Sequence, residues 1–184
     1  IDKLYFRSLT DNAVTLSRAD YEIRIVPDSE NRTLEIRDNG CGMTKEELEN
    51  NLGTIARSGS FDFKKNGGNA ADSSIDIIGQ FGVGFYSAFM VSDLITVESR
   101  AYGAEEAWKW SSSGAEGYSI DPCGKEDYGT TVLLHLKPDT EDEQYSGFLD
   151  DWQIRELVKK YSDYMSRENQ TIKLGRSNFL CLVN

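Results

Sequence analysis

The 184-residue sequence predicts a single α/β domain whose second half is mostly antiparallel sheet. Three observations carry this. Helical spacing of apolar residues recurs in four separated stretches, apolar-polar alternation recurs in six others, and no Pro-rich or Ser-rich linker divides the chain. A composition of 39% hydrophobic and 28% charged residues is enough to build a core. A chain of this length buries about two thirds of the surface it exposes when unfolded.

Residues 1–9 place Ile1, Leu4, Tyr5 and Leu9 at helical spacing with no capping residue before them, as at the end of a helix that began earlier. Residues 21–26 and 33–37 alternate, with Pro27 to Asn31 between them, so a hairpin is expected. Next come the turn Asp38-Asn39-Gly40 and Thr44-Lys45-Glu46-Glu47, a threonine followed three residues later by glutamate, the capping-box signature of a helix start. Residues 53–74 are rich in Gly, Ser, Asn, Asp and Lys and read as a mobile excursion. Residues 75–91 carry glycines at 79, 82 and 84 and then a run that is apolar on every side, which predicts a buried helix. Strands are expected at 94–100, 106–111, 117–121 and 130–136. The last helix is expected at 151–165, with Ile154, Leu157, Val158, Tyr161 and Met165 on one face.

A formal charge of −11 and a pI near 4.6 exclude the basic footprint that nucleic acid requires, so any anionic ligand must be held locally. Cys41, Cys123 and Cys181 have no metal-type spacing and leave one unpaired if two are bridged, which fits a reducing compartment. Neither a membrane span nor a secretory leader is read in the sequence, and a cytoplasmic location is expected.

Two constellations bear on chemistry. In Asp38-Asn39-Gly40-Cys41-Gly42-Met43, Asn-Gly after a strand is an ordinary turn signal. The glycines also permit close backbone approach to a flat ligand, and Asp38 at a strand end can accept a hydrogen bond from an exocyclic amine. In Gly79-Gln80-Phe81-Gly82-Val83-Gly84-Phe85, a glycine-rich turn opens a helix. It either packs that helix tightly or presents free amides to a phosphate without any lysine. It is not a P-loop, because no Gly-Lys-Ser/Thr follows. Arg57 and Ser58 are candidate phosphate or ribose contacts, or simply a solvated helix end. His135 reads as a strand residue without catalytic duty, and Trp108, Trp110 and Trp152 as packing residues.

Taken together, RDNGCGMT, NNLGTIARSGS and IGQFGVGFYSAF, in this order, closely resemble the N-terminal ATP-binding domain of Hsp90 chaperones; residues 148–152 (FLDDW) and 159–163 (KKYSD) favour the bacterial type. The resemblance covers residues 1–164. It implies a two-layer α/β sandwich of the Bergerat or GHKL class, a mixed, mostly antiparallel sheet with helices on one face, shared with type II topoisomerases, mismatch-repair ATPases and sensor histidine kinases. ATP or ADP lies between the layers. Membership among the topoisomerases or kinases themselves is disfavoured by IGQFGVGFYSAF.

By this resemblance Asp38 binds the adenine amino group, helped by Thr130 through water, and Gly42 and Met43 border the base. Lys3, Asn51, Leu52, Arg57, Phe85 and Val97 match other pocket positions, and residues 53–74 match the lid. Arg57 stands where lysine is common, which changes the donor geometry. Ser58, Gly82, Val83 and Gly84 complete the expected contacts. Residues 1–165 would form the nucleotide-binding domain, and residues 166–184 do not match the family's continuation, although Thr171-Ile172-Lys173-Leu174 can form a strand.

The family's first helix normally carries a glutamate that activates water and an asparagine that holds Mg²⁺, and the sequence starts after both positions and after the strand that pairs on dimer closure. Impaired hydrolysis is expected of this chain, with no catalytic residue of its own and no protein ligand for the metal. Two functions follow. One is the ATP-binding domain of a chaperone that hydrolyses ATP, dimerises with a second subunit and folds client proteins. The alternative is an inert adenine-nucleotide-binding or interaction module.

Overall fold

Alternation along most of the strands gives the sheet one predominantly apolar face and one predominantly polar one. The computed structural model describes residues 1–11, 14–17, 20–53, 84–114, 117–162, 171–175 and 179–182. Helix α1 spans Asp2–Thr10, strands β1 and β2 span Glu22–Asp28 and Thr33–Asp38, and helix α2 spans Lys45–Leu52. A 3₁₀ turn at Gly84–Ser87 runs into the short helix α3, Ala88–Val91. Strands β3 (Ser92–Arg100), β4 (Ala107–Ser112), β5 (Ser119–Cys123) and β6 (Gly129–Leu136) follow. A 3₁₀ turn at Tyr145–Leu149 then leads to helix α4 (Asp151–Ser162) and strands β7 (Thr171–Leu174) and β8 (Phe179–Leu182).

The strands form one sheet in the order β5-β4-β3-β6-β2-β1-β7-β8, antiparallel throughout except for the parallel pair β1 and β7. This is the mixed, mostly antiparallel sheet expected from the sequence, and the segment 171–174 is its seventh strand. One register row runs Ile120, Trp110, Val97, Val132, Ile36, Ile25 and Leu174, an apolar residue on every strand from β5 to β7. Because side chains two apart share a face, Ile95, Leu134 and Leu34 stand on the same side. The helices close over it: Leu48 and Leu52 of α2 and Ile154 of α4 are buried in the same core. Each such side chain contributes about 2 kcal/mol by leaving water. The opposite face carries Arg24, Glu35, Arg37, Glu98, Lys109 and Asp121, so only one side demands a helical layer. A smaller core of Leu4, Val14 and Tyr21 lies under α1, with Cys41, Tyr102 and Tyr128 against it.

Several expectations are corrected. Leu9 is 61% exposed, because it lies five residues after the buried Leu4 and so falls off that face. Strand β1 continues through Pro27, which pairs with Leu34, and the turn is confined to residues 29–32. The Ile25 carbonyl accepts from Gly175, so the same side of Pro27, two residues on, faces the edge where β7 has ended, and no donor is required there. Trp152 is 69% exposed at the start of α4, and Tyr161 is 60% exposed. Among the described residues of the expected face, Ile154 and Val158, one turn apart, meet the core while Leu157 is 39% exposed, and Met165 lies outside the described residues. Of the helix predicted as buried within 75–91, the described part is Gly84–Val91. It presents Phe85, Ala88, Phe89 and Val91 to the core while Met90 is 71% exposed. No helix among the described residues is long and apolar enough to cross a membrane.

Local signals held where they were strongest. Thr44 Oγ1 accepts from the Glu47 amide (3.2 Å) and Glu47 Oε2 accepts from the Thr44 amide (2.9 Å), the reciprocal capping box. Beyond the end of β6, Asp139 Oδ1 accepts from the Ser146 amide (2.8 Å) and from the Arg32 guanidinium (3.0 Å). These bonds, Ser146 foremost, hold the Asp139 carboxyl down at about 2, below its ordinary 3.8.

Thr44→Ala is expected to cost about 1 kcal/mol of unfolding free energy by removing one cap bond, measured by urea denaturation. The depressed Asp139 carboxyl contributes stability that is fully present above pH 3.8 and is lost as pH falls through about 2. Asp139→Asn should therefore narrow the gap to wild type as pH is lowered across that window, and a constant difference in melting temperature would contradict this assignment.

Candidate functional site

Two residues beyond the apolar register row, the same face turns polar. Trp108, Ser99, Thr130 and Asp38 are successive cross-strand partners on β4, β3, β6 and β2, followed by Ile23 on β1. Asp38 and Thr130, paired by the family resemblance, are neighbours on adjacent strands. The row opens where β2 ends and the loop 39–43 begins.

That loop is fixed from both sides. Asn39 Oδ1 accepts from the Glu22 amide (2.8 Å) and its Nδ2 donates to the Asp20 carbonyl (2.6 Å), which closes the turn against β1. Asp38 Oδ1 accepts from the Gly40 amide (2.7 Å), which fixes the carboxylate plane. Among the described residues Asp38 Oδ2 has no hydrogen-bond partner, and it remains an acceptor for another group.

On the other side the Tyr102 amide donates to the Cys41 carbonyl (2.8 Å), and the Met43 amide donates to Ser99 Oγ (2.8 Å). Between these two bonds sits Gly42, with φ +59° and its Cα facing the Arg100 carbonyl so closely that a Cβ would lie 1.9 Å from that oxygen. Glycine is required there on both counts. Burial pushes the Cys41 thiol up, so it stays a neutral thiol within the loop.

Helix α2 supplies a further wall. Asn51 Nδ2 lies 3.6 Å from Met43 Sδ, and Leu52 is buried in the main core. The Leu52 carbonyl, at the unpaired end of the helix, accepts from Tyr86 Oη (3.0 Å), which ties α2 to the 3₁₀ turn at Gly84. Phe85 in that turn meets Trp110 edge to face (5.6 Å), and Trp110 is the register partner of Val97. Among the described residues, a Cβ at Gly84 would meet nothing within 4 Å.

The structure thus brings Asp38, Gly42, Met43, Asn51 and Thr130 together around one end of the sheet, with Leu52, Phe85 and Val97 in the core beside them. Lys3 Nζ pairs with Glu47 Oε1 (3.2 Å) at the start of α2. Arg57, Ser58, Gly82 and Val83, with the expected lid after Gly53, lie outside the described residues. Among the described residues no group of three or more His, Cys, Asp or Glu is placed to hold a metal ion. The sequence reading missed Ser99. Its signal was only its parity, two residues after Val97 on the inner face of β3.

Residues 7–122 match the family described as histidine kinase-, DNA gyrase B-, and HSP90-like ATPase. This chain belongs to that family. Over 165 residues, 90% of the chain, it is 58% identical to the chaperone protein HtpG of Clostridium botulinum strain 657 and, with the same identity and coverage, to that of Clostridium acetobutylicum. The corresponding figure for Natranaerobius thermophilus is 54%. The chain spans about a quarter (26%) of the length of the curated relatives it matches. The expected Hsp90-family ATP-binding domain, and its sandwich fold, are borne out by these matches together with the one-faced sheet.

Gly42→Ala should destabilise the ATPase-family domain by at least about 2 kcal/mol, since the new Cβ both strains a positive φ and collides with a backbone oxygen. A guanidinium melt showing wild-type stability would overturn the described path of the loop.

Proposed function

We propose that the chain is the nucleotide-binding part of an Hsp90-type, ATP-driven chaperone, and that adenine is recognised by Asp38 with Thr130 beside it. The observation carrying this reading is the register that sets the two side chains side by side on β2 and β6, with one carboxylate oxygen pinned by Gly40 and the other available. A fixed, half-satisfied carboxylate suits an exocyclic amine, a pure donor. Gly42 and Met43 then border the base, with Asn51, Leu52, Phe85 and Val97 as the further walls. Lys3, Arg57, Ser58, Gly82, Val83 and Gly84 are proposed toward the ribose and phosphates. Amides at the glycine-rich turn would meet the phosphates, an arrangement suited to an acidic chain because it needs few cationic side chains.

In this proposal residues 1–165 form the nucleotide-binding domain and 53–74 its lid. The whole protein couples ATP binding and hydrolysis, with Mg²⁺ on the phosphates, to work on client proteins as a dimer in the cytoplasm. The names of the relatives support this, since each is a chaperone protein HtpG.

Calorimetric titration with ADP and ATP, with and without Mg²⁺, followed by phosphate-release assay, tests the reading. ADP should bind, and Asp38→Asn should weaken it at least about tenfold, because the amide retains an acceptor for Gly40 but can turn a donor toward the ligand's donor. A folded wild-type chain that binds no adenine nucleotide, or an Asp38→Asn variant that binds as tightly as wild type, would refute the assignment.

A further inference from the structure

We infer that Ser99 is a positioning residue of the adenine site, a single buried hydroxyl that ties the Met43 amide to Thr130 and sets the direction of the Thr130 proton. The inference rests on the adenine reading above and extends it to a buried strand residue behind Thr130.

Ser99 is 0% exposed, and its Oγ has three neighbours. It accepts from the Met43 amide (2.8 Å), lies 3.0 Å from Thr130 Oγ1, and can donate to the Gly129 carbonyl (3.3 Å). A hydroxyl has one proton and two lone pairs. With one lone pair committed to Met43, two arrangements remain. If Ser99 donates to Gly129, it accepts from Thr130, and Thr130 offers only lone pairs elsewhere. If Ser99 donates to Thr130, along the shorter of the two contacts, the Thr130 proton is released to donate. Asp38, the register partner of Thr130, already supplies acceptors. The adenine edge presents an amine donor beside a ring-nitrogen acceptor, so a site matching it needs one acceptor and one donor. The second arrangement gives that pair, with Asp38 accepting and Thr130 donating, directly or through water.

Gly129 makes the arrangement rigid. Its φ is +100°, and a Cβ there would lie 2.2 Å from the Asp38 carbonyl, so β6 starts pressed against the end of β2. Ser99 therefore joins three elements at one atom: the loop through Met43, the start of β6 through Thr130, and its own strand β3.

The test measures ADP and 1-deaza-ADP, which lacks the ring-nitrogen acceptor, against wild type, Ser99→Ala and Ser99→Thr by calorimetry well below the melting temperature. Ser99→Ala should weaken ADP about tenfold. Wild type should prefer ADP over 1-deaza-ADP, and Ser99→Ala should lose most of that preference while Ser99→Thr, which keeps the hydroxyl, retains it. A purely structural role would lower the melting temperature of Ser99→Ala without changing the ratio of the two affinities, and that result overturns the inference. Should Ser99→Thr fail to fold, Thr130→Val provides the second arm: Ser99→Ala added to it should change the ratio no further, and an additive change would also overturn the inference. Failure of wild type to bind ADP would instead remove the adenine reading itself.

Discussion

The structure depends on the register of three central strands. β2, β6 and β3 are paired so that their apolar residues form the floor of the core and, one step along the same face, Asp38, Thr130 and Ser99 come into line. A slip of one residue in either pairing would turn those side chains to the other face and expose Ile36, Val132 and Val97. The hydrophobic effect, which specifies the register across the whole row, therefore also specifies the polar site. Correct folding and correct placement of the site residues are one event here.

The loop that follows β2 gains its definition from contacts distant in sequence. Asn39 ties it to β1, Ser99 and Tyr102 tie it to the end of β3, and Gly42 fits beneath the Arg100 carbonyl. Cys41 and the Tyr102–Tyr128 pair connect it to the smaller core under α1. Glu47 serves two ends at once, closing the cap of α2 with one oxygen and pairing with Lys3 of α1 with the other. The two helices therefore meet at the edge of the site through a side chain that already has a structural duty.

Local chemistry was the legible part. The capping box at Thr44 and Glu47 and the alternation of β2 each involve residues near in sequence and could be read directly, whereas the glycine demand at position 42 is set by the distant Arg100 carbonyl. The exposure of Trp152 and the narrow contact of α4 could not, since residue type predicts affinity for a core but not how much core a helix reaches. Pro27 misled for a related reason: proline ends a strand unless its missing donor faces an edge, and that edge is left because β7, far along the chain, pairs only as far as Ile25. Ser99 stayed hidden because a serine in a strand is ordinary until its neighbours across the sheet are known. Asp38 and Thr130 were singled out by family resemblance, and their adjacency is a fact of pairing.

The parallel pairing of β1 with β7 bears on how the chain acquires this shape. Lys173 of β7 and Glu22 of β1, which form an ion pair across it, are 151 positions apart. A contact so distant closes a very long loop and belongs to the late stages of folding. β1 and β2 are synthesised long before β7, and until β7 pairs with it the outer side of β1 offers unpaired amides and carbonyls. Glu22, Arg24 and Pro27 then act as guards on that temporary border, two charges and a missing donor that discourage a second nascent chain from adding itself in place of β7.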